Sequence, residues 1–197
     1  MDLGKLGVWY FLDGLSTEDS IRTAQKIESL GYGALWLPET VGKDPLTTSS
    51  LLLSVTTKLN LATGIVNIYH REPGVMLAAQ KTLAEQSQNR FILGMGVSHK
   101  PLVEGVRGLE YGPPVKTMRD YLSKMEASPY TGIASSEKPT TLIAALGPKM
   151  LELAAEKTDG AHPYFTSPEH TEFARKILGK DKKLCVEQKV MLEPDLP

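Results

Sequence analysis

Very little sulfur, no long apolar run and no excess of either charge set the first limits on this chain. A single cysteine, Cys185, in 197 residues excludes an internal disulfide and suits a reducing compartment, so the expectation is a cytoplasmic protein. It lies in "KLCVEQKVML", where a buried strand thiol is the ordinary reading. No apolar run nears the roughly 18 residues needed to cross a bilayer. The opening "MDLGKLGVWYF" also lacks the basic-then-apolar order of a secretory leader, and no membrane partner is expected. Lys and Arg number 22 against 23 Asp and Glu, and the longest basic cluster is "KDKK" at Lys180–Lys183. Nucleic acid therefore has no electrostatic footprint. The histidines His70, His99, His162 and His170 show no metal-ligating spacing, so no metal is expected. No G-x-G-x-x-G opens the first helix, which argues against a dinucleotide fold, and "GMG" at Gly94–Gly96 is only a fragment of that fingerprint.

What is present is alternation. Strand-like runs, "KLGVWYF" (Lys5–Phe11), "ALWLPE" (Ala34–Glu39), "NLATGIVNI" (Asn60–Ile68) and "RFILGMGVS" (Arg90–Ser98), are each followed by a helical pattern. Capping residues mark the helices. Ser16 precedes Asp19 by three, Gly31 can close the first helix in the left-handed region, and Asp44 precedes Pro45 at a helix start. After an irregular excursion, Lys100–Thr140, with one helical piece "TMRDYLSKMEA", the pattern resumes with "TTLIAAL", "GAHPYFT" and "KLCVEQKVML" as strands five to seven. Outside the excursion strands recur roughly every 25 to 30 residues, the spacing of βα units in a parallel sheet. An eight-unit barrel takes about 250 residues, so the expectation is one domain, residues 1–197, with about seven strands. The last helix of unit seven and all of unit eight would be missing.

Gly64 sits in the middle of the third strand pattern and weakens it, which points to a bulge or a close approach of the backbone to a ligand. "AALGPKM" puts glycine and proline at a strand-to-helix turn, where free N–H groups and the helix dipole favour an anion. "GMGVSHK" places His99 just past a strand end, where barrel enzymes keep their chemistry. Trp9 and Trp36 read as barrel packing, or as walls of a substrate pocket if they point upward.

These strings, above all "LATGIVNIYHREPGVMLAAQKTLAEQSQNRFILGMGVS", with "ESLGYGALWLPE" and "TLIAALGPKMLELAAEKTDGA", resemble the bacterial luciferase-like monooxygenase superfamily. They are most similar to its branch using the deazaflavin coenzyme F-420. The resemblance runs from Lys5 to about Glu193. It implies a (β/α)8 TIM barrel, here C-terminally incomplete, with F-420, or alternatively FMN, at the C-terminal mouth. The implied activity is hydride transfer to or from a small organic substrate, with an FMN-dependent monooxygenase or a non-catalytic flavin-binding dimer as alternatives. The resemblance also implies a cis peptide at Gly64–Ile65 as the shelf under the ring, a plain β-bulge being the other reading. Asn67 would bond ring heteroatoms, and Gly96, Val97 and Ser98 would flank the ring. Ala145, Leu146, Gly147, Pro148, Lys149 and Met150 would hold the phosphate-bearing tail. His99 and Glu39 are the candidate catalytic residues. Deazaflavin-dependent sugar-phosphate dehydrogenases of the superfamily pair an acid with a histidine after strand two, where this chain has Glu39 and Thr40, and that substrate class is not implied. A homodimer through helices two and three is expected, because "LTTSSLLLSV" is apolar on more than one face.

Overall fold

The structure, a computed structural model, describes residues 3–190. Met191 and Leu192, the end of the expected seventh strand, lie outside the described residues. The elements run β1 (Gly7–Trp9), α1 (Thr17–Ser29), β2 (Ala34–Leu37), α2 (Pro45–Ser54), β3 (Asn60–Thr63), β4 (Val66–Asn67), α3 (Pro73–Gln86), β5 (Phe91–Gly96), α4 (Pro114–Ala127), β6 (Thr140–Ile143), α5 (Pro148–Lys157), β7 (Gly160–Ala161), α6 (Pro168–Leu178) and β8 (Lys183–Leu184). Every ladder is parallel, in the order β1-β2-β3-β5-β6-β7-β8, with β4 also on β5. β3 and β4 are one strand position interrupted at Gly64 and Ile65, so seven positions curl into the part-barrel of a TIM barrel. Among the described residues no ladder joins β1 to β8, and no helix is long and apolar enough to cross a membrane.

Parallel strands covered on both faces read as continuous apolar runs, and here alternate residues divide between two cores. Leu35, Leu37, Leu61, Phe91, Leu93 and Ile143 pack outward against the helices. Ala34, Trp36, Ala62, Ile92 and Leu142 point inward and fill the barrel. The helix starts follow local chemistry. The Asp19 amide donates to Ser16 Oγ at 3.0 Å, the Thr47 amide to Asp44 Oδ1 at 2.8 Å, and Gly31 takes φ +81° after α1. In the excursion after β5, the chain also forms a π-helical turn, Pro101–Val106, that its sequence reads as loop. α4 starts earlier than expected because Pro114 suits a first helical position.

The strands are shorter than their apolar runs. Of "GAHPYFT" only Gly160 and Ala161 join a ladder, since Pro163 lacks an N–H and Tyr164 reaches only an isolated parallel bridge with Glu187. α2 spends Leu46, Leu52 and Leu53 on its own core and leaves Leu51 37 % exposed, so the apolar excess of "LTTSSLLLSV" is mostly internal packing.

Candidate functional site at the C-terminal mouth of the barrel

A cleft of about 720 Å³ opens where the strands end, within the range of small-molecule and cofactor sites. Its floor is the interruption in the third strand position. The peptide bond between Gly64 and Ile65 is cis. Trp9 Nε1 donates to the Gly64 carbonyl at 2.8 Å. A Cβ at position 64 would lie 2.9 Å from Trp9 Nε1 and 3.0 Å from His162 Nε2, so only glycine lets both rings close beneath it. Gly94 and Gly96 serve the same place. A Cβ on Gly94 would lie 2.0 Å from the Thr63 carbonyl oxygen, and one on Gly96 2.7 Å from Ile65 Cδ1. Both glycines therefore admit the neighbouring strand, and Ile65 comes to lie over β5. Where the ladder breaks, Thr63 Oγ1 accepts from the Gly94 amide at 2.9 Å and donates to the Gly94 carbonyl at 2.7 Å.

Beyond β5, Ser98 turns the chain with φ 56°, and the His99 carbonyl accepts the amides of Leu102 and Val103, each at 3.0 Å. The imidazole of His99 is exposed at the cleft's edge. Across the cleft, Gly147 precedes α5 with no side-chain cap at that end and nothing within 4 Å of where its Cβ would stand. Pro148, Lys149 and Met150 follow in the lining, after Ala145 and Leu146. An open helix N-terminus beside a lysine stabilises an anion.

Glu39 also lines the cleft, but its carboxylate is engaged. Oε1 lies 2.6 Å from Arg71 Nη2, and Oε2 accepts the Asn67 amide at 2.6 Å with His70 Nδ1 at 3.4 Å. Burial works against the Arg71 charge, yet Glu39 and Asp44 together raise its affinity for the proton. Asn67 stands outside the lining. Its Oδ1 accepts the Tyr69 amide at 3.0 Å and its Nδ2 lies 3.0 Å from His70 Nε2, so its amide holds the turn after β4.

The structure thus brings every candidate except Asn67 to one cleft: Glu39, Gly64, Ile65, Gly96, Val97, Ser98, His99 and the run from Ala145 to Met150. It adds Phe11 and Tyr164, which sequence reasoning passed over, and puts Trp9 in the wall while Trp36 stacks on His162, centroids 4.5 Å apart at 12°. Phe11 was findable, since it lies two residues past Trp9 and so on the same side of an extended chain. His162 is a second omission. Its Nδ1 lies 2.7 Å from the Cys185 carbonyl, which fixes the proton there and leaves Nε2 as a lone pair with no partner. Among the described residues no cluster of three or more His, Cys, Asp or Glu is arranged to hold a metal.

A parallel half-barrel with a glycine-floored cleft at its strand ends and an open helix start on the far wall places the chain among α/β barrel proteins with a cofactor-sized cleft at the C-terminal mouth. Residues 12–178 match the luciferase-like monooxygenase family, and the chain belongs to it. It is 29 % identical over 199 residues to a putative coenzyme F-420-dependent oxidoreductase of Mycobacterium tuberculosis, covering 85 % of this chain and 56 % of that protein. Among solved structures it superposes on the coenzyme F-420-dependent tetrahydromethanopterin reductase of Methanopyrus kandleri with a TM-score of 0.73 and 20 % identity, covering 88 % of this chain and 59 % of that one. It also superposes on the FMN-bound oxygenating constituent of diketocamphane monooxygenase from Pseudomonas putida, with a TM-score of 0.72, 14 % identity and coverage of 87 % and 60 %. The chain spans about half the length of the curated relatives it matches.

Proposed function

We propose that this chain is an oxidoreductase that binds coenzyme F-420 in the cleft and serves hydride transfer with a small organic substrate. The observation that carries the reading is that the Gly64–Ile65 floor and the uncapped start of α5 face one cavity. One accepts a flat ring; the other suits an anionic tail. Bound deazaflavin gives or takes hydride at a ring carbon, whereas FMN, the second reading, has nitrogen there and reacts with oxygen as well.

In this reading Gly64 and Ile65 support the ring, with the Gly64 carbonyl held by Trp9. Gly147, Pro148, Lys149 and Met150 hold the tail. His99 exchanges a proton with the substrate from its exposed position at the cleft edge. Glu39, held by Arg71 and the Asn67 amide, keeps the wall after β2 in place. The same proposal takes the protein as cytoplasmic and as a homodimer through α2 and α3, where Leu51 and Val75 are the exposed large apolar residues. A monomer by light scattering would remove the dimer.

Titration with F-420 and with FMN, followed by visible absorbance and fluorescence, tests the reading. F-420 is expected to bind in the micromolar range or tighter. Gly147→Asp separates binding from folding, because aspartate is a good N-cap in the extended conformation Gly147 already has. That variant is expected to melt no lower than the parent and to bind F-420 at least about tenfold more weakly, since its charge opposes the tail. Binding of neither cofactor ends the proposal.

A further inference from the structure

The cleft is larger than the shelf and the tail anchor, and its remaining wall has a chemistry of its own. Trp9 and Phe11 line it from β1 and the segment just after it, and Tyr164 from the loop after β7. Trp9 and Phe11 meet edge-on, centroids 5.0 Å apart at 87°, and Trp9 and Tyr164 lie 6.2 Å apart at 48°. These are the separations and tilts at which aromatic rings attract one another. The wall is also held ready. Tyr164 forms a parallel bridge to Glu187, and the Phe165 amide donates to buried Glu187 Oε2 at 2.8 Å. Yet Phe11 is 44 % and Tyr164 41 % exposed, so aromatic surface remains open to an occupant.

Charge narrows the occupant. Among the residues lining the cleft, Lys149 is the sole lysine or arginine, and it stands at the start of α5. The carboxylate on the opposite wall, Glu39, already has Arg71, His70 and the Asn67 amide as partners. Lys189 sits over the rings of Tyr164 and Phe165, 5.2 and 4.7 Å from their centroids, outside the lining, and its charge is directed onto those faces. Beside the aromatic wall no lysine or arginine lines the cleft, and Glu39 is already paired, so a carboxylate or phosphate on the substrate would give up water there without gaining an ion pair within the lining.

Resting on the proposed function for the cofactor, we infer that the substrate is an uncharged aromatic molecule, its ring held among Trp9, Phe11 and Tyr164. The aromatic half sets the substrate class, and the α5 half serves the cofactor tail alone.

Naphthol and naphthoate share a ring system and differ in charge at neutral pH, so they read the wall directly. Binding of each is followed by quenching of tryptophan fluorescence in protein with and without F-420. Naphthol is expected to bind at least about tenfold more tightly than naphthoate. Phe11→Ala and Tyr164→Ala are each expected to weaken naphthol by about fivefold, the size of one aromatic pair. Lys149→Ala is expected to weaken F-420 and leave naphthol within about twofold. Equal binding of the two probes, no binding of naphthol, or indifference to both aromatic truncations overturns the inference. If F-420 fails to bind while naphthol is still selected through Phe11 and Tyr164, the cofactor reading falls and the aromatic site stands. If F-420 binds and naphthol is not selected, this inference alone falls.

Discussion

At the N-terminal end of the strands, Arg90 donates to four acceptors: Thr56 Oγ1 at 3.3 Å and the carbonyls of Leu59, Leu53 and Thr56 at 2.8, 2.8 and 3.1 Å. Beside it Glu28 Oε1 accepts the amides of Thr57, Lys58 and Leu59 at 2.8, 2.6 and 2.8 Å. The C-terminal end is the reverse. His162 Nε2, Arg71 Nη1, Thr166 Oγ1 and His170 Nδ1 are buried there without a partner, and α5 starts without a side-chain cap. A barrel keeps its stability at one end and its ligand chemistry at the other, and polar satisfaction marks the division. Loops before the strands have side chains standing in for absent backbone partners. Loops after them leave several polar atoms unpaired within the chain, and of these His162 lines the cleft.

The sharpest way to break this contrast is Arg90→Ala. It strips three carbonyls and a hydroxyl of donors at once, so a loss of about 3 kcal/mol is expected, read as a lower urea midpoint at unchanged slope. Arg90→Lys is expected to recover less than half, because an ammonium cannot span acceptors that the guanidinium fork reaches together. Cofactor affinity at the other end is expected to stay within about twofold for folded protein. A coupled loss of binding would mean the two ends are not separate.

Gly64→Ala sharpens the contrast from the opposite side. The added methyl would meet Trp9 Nε1 and His162 Nε2 at about 3 Å, displacing one ring and with it the bond to the Gly64 carbonyl. Overpacking of this kind costs about 1 to 2 kcal/mol, less than Arg90→Ala, but F-420 binding is expected to weaken by tenfold or more. Should Gly64→Ala cost more stability than Arg90→Ala while cofactor binding holds, the floor is a packing feature and not a seat.

Local chemistry was legible in the sequence and distant partnership was not. Ser16, Asp44, Pro45 and Gly31 announced their helix ends because a cap is settled within four residues. Gly64 announced itself because a glycine inside a strand pattern needs a reason, and the cis bond follows from no spacing rule but from the resemblance. The bonds of Arg90 reach back 31 to 37 residues and those of Glu28 forward 29 to 31, and nothing in either neighbourhood shows them. His162 was visible only as a histidine without metal spacing. Its place under Gly64 depends on how far the sheet curls, which brings the strand before it, β7, round toward β1 and β3. The strands also end sooner than their apolar runs suggest. Apolar character continues past the ladder into "GAHPYFT", where His162 and Tyr164 line the cleft and Pro163 is buried without pairing, and such a run looks like strand in one dimension.

His162 gives the smallest and most specific effect. Burial, the larger influence, pushes its imidazole below the ordinary 6.5, while the hydrogen bond to the Cys185 carbonyl pulls the other way. The folded protein therefore holds this ring neutral at pH values where the unfolded chain takes up a proton. The unfolded state binds more protons just below pH 6.5, so stability is full above that value and falls as pH is lowered towards the depressed folded pKa. One proton allows a slope of at most about 1.4 kcal/mol per pH unit. Glu28 and Asp44 act in a lower window. Burial raises each carboxyl, but backbone amides, with Arg71 for Asp44 and Arg90 for Glu28, lower it further, so their stabilisation is lost only below about pH 4.5. Urea unfolding of the parent is expected to weaken between pH 6.5 and 4.5, and His162→Gln is expected to flatten that interval while leaving the loss below it. A parent curve flat to pH 4.5, or a His162→Gln curve as steep as the parent's, would mean that the lone Nε2 finds a proton acceptor when charged and that the ligand end is as well satisfied as the other.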